Sequence, residues 1–161
     1  MAYAAATDRG IVRLEIKPGP LDAFLDGLRR ASGESPVKDA RPFELLVREL
    51  DGYFAGRLTV FSVPLDLHGT KFQMRVWREL MKVPYGEVRT YGWLAGKAGN
   101  PAGARAAGGA LHNNPVPIVV PCHRIVAASG GLGGYGGGIG MKRRLLEIEG
   151  STGGSTGWLR P

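Results

Sequence analysis

A proline closes the short apolar run Ile118-Val119-Val120, and that stop decides where the only cysteine of the chain can sit. Pro121 fixes its own φ and cannot donate to a ladder, so the run before it is expected to be a strand that ends there. Cys122 then lies at a strand end, in irregular backbone that a substrate can reach. The neighbouring imidazole of His123 can raise the thiolate fraction, and the thiolate is the nucleophile. A lone cysteine is more often a small buried hydrophobe. The Cys-His pair by itself therefore does not decide between a reactive and a structural thiol.

Composition narrows the setting. The 161 residues suffice for one ordinary domain or two small ones sharing an interface, and 43% hydrophobic residues suit a globular protein. One cysteine excludes an internal disulfide framework, so a reducing compartment is expected. His68, His112 and His123 have no ligand spacing with it, which argues against a zinc site. No apolar run approaches a membrane span, and the N-terminus lacks the features of a signal peptide. The expected location is the cytoplasm, beside the nucleoid in a prokaryote. The net charge of +7 is unevenly placed: residues 1–69 carry 9 Lys/Arg against 10 Asp/Glu, and residues 70–161 carry 12 against 4. The positive excess falls in the half that holds Cys122, which favours a polyanionic partner, nucleic acid first.

Three units are expected: residues 1–66, 67–150, and a Gly/Ser/Thr-rich tail over 151–161 expected to be flexible. In the first unit, residues 2–6 and 11–16 flank Asp8-Arg9-Gly10, and the alternation in the second run predicts a β-hairpin. Leu21, Phe24, Leu25 and Leu28 share one helix face. A second helix is expected over 43–54 with Phe43, Leu46, Val47 and Leu50 inward, followed by an extended segment over 59–67. This α+β unit contains no constellation that carries chemistry, and its expected task is to support the second unit.

The second unit reads as mostly helical. Thr70-Lys-Phe-Gln73 is a capping box, opening a helix to Lys82 that buries Phe72, Val76, Trp77, Leu80 and Met81. Thr90 caps a short helix over 91–98. Asn100 as N-cap and Pro101 as first residue predict another helix, ending near Leu111. The pair matches helix-turn-helix geometry. Gly103, Gly108 and Gly109 in the second member together cost about 3 kcal/mol relative to Ala, so something should offset them. A helix this slim lets another surface approach closely, and with few side chains to read base edges it suits sequence-independent contact in a minor groove. Arg105 is its only long polar side chain and is expected to insert into the duplex. Residues 130–140 contain a G-x-G-x-x-G pattern, but the βαβ context of a dinucleotide site is missing. The segment is expected to be a loop over a flat base, with Tyr135 as its packing residue. A final helix runs from Met141 to Glu149, with Lys142, Arg143 and Arg144 on a solvated or phosphate-facing surface.

From about Gly69 to Gly150 the chain resembles the O6-alkylguanine-DNA alkyltransferases. Their signature, Pro-Cys-His-Arg before two aliphatic residues, stands here as Pro121-Cys122-His123-Arg124-Ile125-Val126. Their Arg-Ala-Val-Gly segment appears as Arg105-Ala106-Ala107-Gly108. The resemblance implies an α+β protein: a small ribonuclease-H-like α/β unit, abbreviated here, before a mostly helical domain with a winged-helix-like helix-turn-helix. It implies a single-turnover methylated-DNA–protein-cysteine S-methyltransferase that needs no cofactor and no metal. Cys122 is then the acceptor, His123 the base acting through a water, and Glu149 the acid that orients it. Tyr91 donates to the leaving guanine, and Asn114 organises the active-site turn. Arg105, Ala106, Gly108, Gly109, Arg124, Val126, Ser129, Tyr135, Gly136 and Lys142 form the substrate and DNA surface. Gly136 departs from the family, where Ser is common, which leaves one hydrogen bond of the pocket unassigned. The implied partner is double-stranded DNA containing O6-alkylguanine, met by a monomer. Action on O4-alkylthymine and cooperativity on DNA stay open. Two other readings remain at this point: a non-catalytic protein that recognises alkylated DNA, and a helix-turn-helix regulator with a structural thiol.

Overall fold

The alternation in the first unit does yield a hairpin. Strand β1, Ala2–Thr7, pairs antiparallel with β2, Gly10–Ile16, with an irregularity between Ala5 and Ala6. The structure, a computed structural model, describes residues 2–16, 19–151 and 158. The expected flexible tail therefore lies almost entirely outside the described residues. β2 puts Ile11 and Leu14 into the core. Its other edge meets the extended segment through an isolated parallel bridge between Ile11 and Leu65, with Ile11 N–H donating to the Pro64 carbonyl at 2.8 Å.

Helix α1, Leu21–Ser32, buries Phe24 and is closed by Gly33 in the left-handed region. A single 3-10 turn over Arg41–Phe43 leads into α2, Glu44–Phe54. The inward residues of α2 are Leu46, Glu49 and Tyr53, spaced three and four apart on one face. Val47, expected inward, is 54% exposed because it lies off that face. The buried Glu49 carboxylate accepts from the backbone N–H groups of Ser62 and Val63, each at 3.0 Å. It anchors the extended segment to α2.

The capping box forms as expected: Gln73 N–H donates to the Thr70 hydroxyl at 3.2 Å, and Thr70 N–H donates to the Gln73 side chain at 2.8 Å. It starts α3, Lys71–Leu80, which ends before Met81, and Met81 is 41% exposed rather than buried. Trp77 is in the core, its indole N–H donating to the Ala110 carbonyl at 2.9 Å. Two-residue strand β3, Arg89–Thr90, pairs parallel with β4, Ile125–Val126. Thr90 caps α4, Tyr91–Lys97, and α5, Ala104–His112, packs against both α3 and α4.

Helix α5 starts three residues later than Asn100-Pro101 suggests. Gly103 N–H donates to the Asn100 carbonyl at 2.8 Å, closing a turn, and Gly103 is the cap. A Cβ on Gly103 would lie 2.1 Å from the Asn100 side-chain nitrogen and 3.0 Å from the Asn100 carbonyl oxygen, so any larger residue would have to displace the Asn100 side chain. Only Gly108 and Gly109 remain inside the helix, and the propensity cost falls to about 2 kcal/mol. Helix α6, Ile139–Ile148, is the last element among the described residues, with Gly150 left-handed behind it. One buried apolar cluster runs from Ile11, Leu14 and Leu46 through Trp77, Leu80 and Leu94 to Val120, Cys122 and Ile125. Both halves thus share a core, and Cys122 lies within it.

Candidate active site

The expected strand before Pro121 is a tight turn instead. Val120 N–H donates to the Val116 carbonyl at 2.9 Å, and Ile118 sits at φ +76°. A β-branched residue pays steric strain there. Its fully buried side chain, packed with Tyr53 and Leu145, holds it in place. Pro121 then feeds a 3-10 turn over Cys122–Arg124, which turns Cys122, His123 and Arg124 inward together.

Asn114 ties this turn down. Its amide nitrogen donates to the Val120 carbonyl at 2.8 Å and to the Cys122 sulfur at 3.2 Å, while its oxygen accepts from Val116 N–H at 3.1 Å. Both amide hydrogens and the amide oxygen are thus engaged by the turn or the thiol. Burial pushes the Cys122 thiol up from its ordinary value. The Asn114 hydrogen bond and the charge of Lys142 oppose that rise.

His123 and Glu149 are both buried, with Nε2 to Oε1 at 2.7 Å. Burial lowers the pKa of His123 and outweighs the raising effect of Glu149, so the imidazole is neutral at neutral pH. Burial alone would raise the Glu149 carboxyl, but hydrogen bonds from His123 and Arg124 bring it down to about 2. A carboxylate can only accept, so Nε2 carries the hydrogen and the free lone pair is on Nδ1. Nδ1 is buried without a hydrogen-bond partner in the described residues.

Several further donors converge on Glu149. Arg124 reaches Oε2 through Nε at 2.9 Å and Oε1 through Nη2 at 3.0 Å, and Gly86 N–H donates to Oε2 at 3.1 Å. The Tyr53 hydroxyl donates to Oε1 at 2.7 Å. Arg124 is buried and also donates to the Val83 carbonyl, so it braces Glu149 and does not face DNA as expected. Sequence reasoning missed Tyr53 altogether. Its one signal was its position on the inward face of α2, which says buried but names no partner.

Lys142 is the other correction. It is fully buried, and its ammonium donates to the carbonyls of Ile125, Leu132 and Gly134. Burial lowers its pKa to about 8, while Cys122 acts the other way. The charged run Lys142-Arg143-Arg144 does not form one surface because Lys142, Leu145, Leu146 and Glu149 fall on the inward stripe of α6. That spacing was present in the sequence. Arg143 and Arg144 are exposed.

A cleft of about 640 Å³ opens at Cys122, bordered by Tyr91, Arg105, Gly108, Tyr135 and Gly136. Tyr91 is half-buried, and its hydroxyl donates to the Gly134 carbonyl at 3.3 Å. Gly133 has φ +68°, and a Cβ there would lie 3.0 Å from the Tyr91 hydroxyl oxygen, so the loop approaches Tyr91 through a glycine. Tyr135 is half-buried and Gly136 exposed with open space beside it. Arg105, Ala106 and Gly109 lie on the exposed face of α5, and a Cβ on Gly109 would meet nothing within 4 Å. Val126 is buried within β4 and Ser129 is on an exposed turn, and neither borders this cleft.

Residues 71–151 match the family model "6-O-methylguanine DNA methyltransferase, DNA binding domain", and residues 3–67 match the ribonuclease-like domain of the same enzymes. The methylated-DNA–protein-cysteine methyltransferase of Mycobacterium bovis is 56% identical over 69% of this chain and 67% of its own length. That of Methanosarcina acetivorans is 48% identical over 80% of this chain and 83% of its own. The crystal structure of Mycobacterium tuberculosis OGT in complex with DNA superposes with a TM-score of 0.80 at 42% identity, covering 98% of this chain and 88% of that one. By these matches the chain belongs to the 6-O-methylguanine DNA methyltransferase family.

Proposed function

We propose that the protein repairs O6-alkylguanine in duplex DNA by moving the alkyl group onto Cys122, once per molecule. The observation that carries this reading is the thiol itself: held by Asn114 at 3.2 Å, next in sequence to the buried His123–Glu149 pair, and open to a cleft.

The chemistry follows from the groups present. The duplex stack hides the alkyl carbon, so the nucleotide must turn out of it, at a cost of a few kcal/mol. We assign the filling of the gap left behind to Arg105, which is exposed beside the cleft on α5. The small side chains around it let α5 lie close to the DNA backbone. With the base in the cleft, the thiol proton passes to Nδ1 of His123 through a bridging water, as the family resemblance implies. Glu149 holds the ring in the tautomer that leaves Nδ1 free and stabilises the imidazolium. The thiolate attacks the alkyl carbon in line. The carbon–oxygen bond breaks, its electron pair stays with the guanine oxygen, and the base takes up a proton as it leaves. Tyr91, whose hydroxyl borders the cleft, would turn its proton from the Gly134 carbonyl to that base.

The product is a thioether, which has no good leaving group, and the chain has no second cysteine to release it. A merely recognising protein would have no use for an acceptor thiol held in this way. We place the protein in the cytoplasm with the DNA it repairs. No helix among the described residues is long and apolar enough to cross a membrane. A titration of O6-methylguanine duplex against a fixed amount of protein tests the reading. Repair should stop at one lesion per protein molecule, and continued turnover would refute it.

A further inference from the structure

The chemistry above uses only residues from the second half of the chain. Yet the acid that orients the base has a donor from the first half. Tyr53 lies in the last turn of α2, is fully buried, and donates to Glu149 Oε1 at 2.7 Å, with its oxygen 3.3 Å from His123 Nε2. That same Oε1 accepts from His123 at 2.7 Å and from Arg124 at 3.0 Å. Tyr53 therefore shares an oxygen with the histidine.

We propose that Tyr53 is a positioning residue for the transfer reaction, through which the N-terminal unit sets the strength of the His123–Glu149 base. The inference rests on the proposed function, since it presumes that His123 takes the thiol proton.

The ring is fixed well enough for this task. It packs at 5.4 Å from the Phe61 ring, edge-on to Tyr85 at 6.1 Å and edge-on to His123 at 6.4 Å. Burial beside the Glu149 carboxylate pushes the Tyr53 phenol up, so it stays a donor throughout the working range. A hydroxyl that donates to a carboxylate draws charge from it. The carboxylate then holds the Nε2 hydrogen less strongly, and the imidazole is a weaker base. Without the hydroxyl, Glu149 would pull harder on that hydrogen, and Nδ1 would accept the thiol proton more readily. The other titratable or charged groups facing the pair are Arg124, Lys142 and Tyr85. All are unchanged by Tyr53→Phe, which removes one oxygen and keeps the ring.

The single cysteine makes the test clean, because every thiol signal belongs to Cys122. The rate of Cys122 alkylation by iodoacetamide is followed against pH in the full-length protein and in Tyr53→Phe, with His123→Gln as reference. Transfer from an O6-methylguanine duplex is measured beside it. Tyr53→Phe should move the thiol midpoint down by about half a unit, roughly a threefold change in thiolate fraction below the midpoint. Below that midpoint it should also speed transfer from DNA, by at most the same factor, because more of the thiol is ionised. A midpoint unchanged or moved up, with His123→Gln clearly shifted, would overturn the role of Tyr53 alone. A wild-type midpoint equal to that of His123→Gln would overturn the base assignment and Tyr53 with it.

Discussion

At the scale of single residues, the site solves one problem: a thiol inside a core must ionise. Burial works against the thiolate, and each neighbour compensates by a separate route. Asn114 donates directly to sulfur, Lys142 supplies positive charge, and His123 accepts the proton. A hydrogen bond to a charged group contributes about 1.5–3 kcal/mol. Asn114→Ala should therefore slow alkyl transfer by roughly ten- to a hundredfold and raise the pH at which Cys122 reacts with iodoacetamide. A transfer rate within twofold of wild type would show that the amide only shapes the turn. Cys122 and His123 were legible in the local signature, and Glu149 in the family resemblance, as candidates for acceptor, base and acid. Tyr53 and Lys142 were not. Each reaches the site by tertiary packing, and a tyrosine or lysine on an inward helix face does not announce which distant carboxylate or carbonyl it meets.

At the scale of elements, the helix pair and the capping box followed from local rules that the tertiary structure left intact. Two local signals were overruled. Asn100-Pro101 is good helix-starting chemistry, but the Gly103 turn uses the Asn100 carbonyl first. Ile118-Val119-Val120 has strand composition, but it is too short and too confined by Pro117 and Pro121 to find a partner, so it folds on itself with Ile118 strained. Helix α5 is the element whose composition internal packing explains least. Gly109 faces open space, so its cost has no packing benefit inside the protein. Gly109→Leu should raise the thermal stability of the free protein by about 0.5–1 kcal/mol yet weaken duplex binding. Arg105→Ala should slow repair of duplex DNA while sparing reaction with free O6-benzylguanine. Equal losses on duplex and free base, for either variant, would show that α5 shapes the pocket and not the DNA contact.

At the scale of the molecule, the two halves are joined by one core and by the buried Glu149 network, so charge and stability are linked. Glu149 has a folded pKa of about 2, below its unfolded value. The stability it contributes is present above the unfolded value and is lost as pH falls from about 4 toward 2. His123, buried neutral with its pKa lowered, acts in the same direction from its unfolded value downward. Lys142 behaves differently in range: with a folded pKa of about 8, it makes stability rise with pH from about 8 to 10. Thermal unfolding followed across pH should show a steep acid loss that is much reduced in Glu149→Gln, whose starting stability is lower. An acid limb of equal size in that variant would place the pH sensitivity elsewhere. The mixed α+β class, the neutral first half and the basic second half could all be read from sequence. The shared core could not, because hydrophobic periodicity assigns faces to elements without saying which faces meet.

The central claim is that Cys122 itself receives the alkyl group. Intact-protein mass spectrometry after mixing with an O6-methylguanine duplex addresses it most directly, with Cys122→Ser alongside. The account predicts the mass gain of one methyl replacing one hydrogen, localised to Cys122, with guanine restored in the DNA and no gain in the variant. Tight binding to the duplex with no change in protein mass would contradict it.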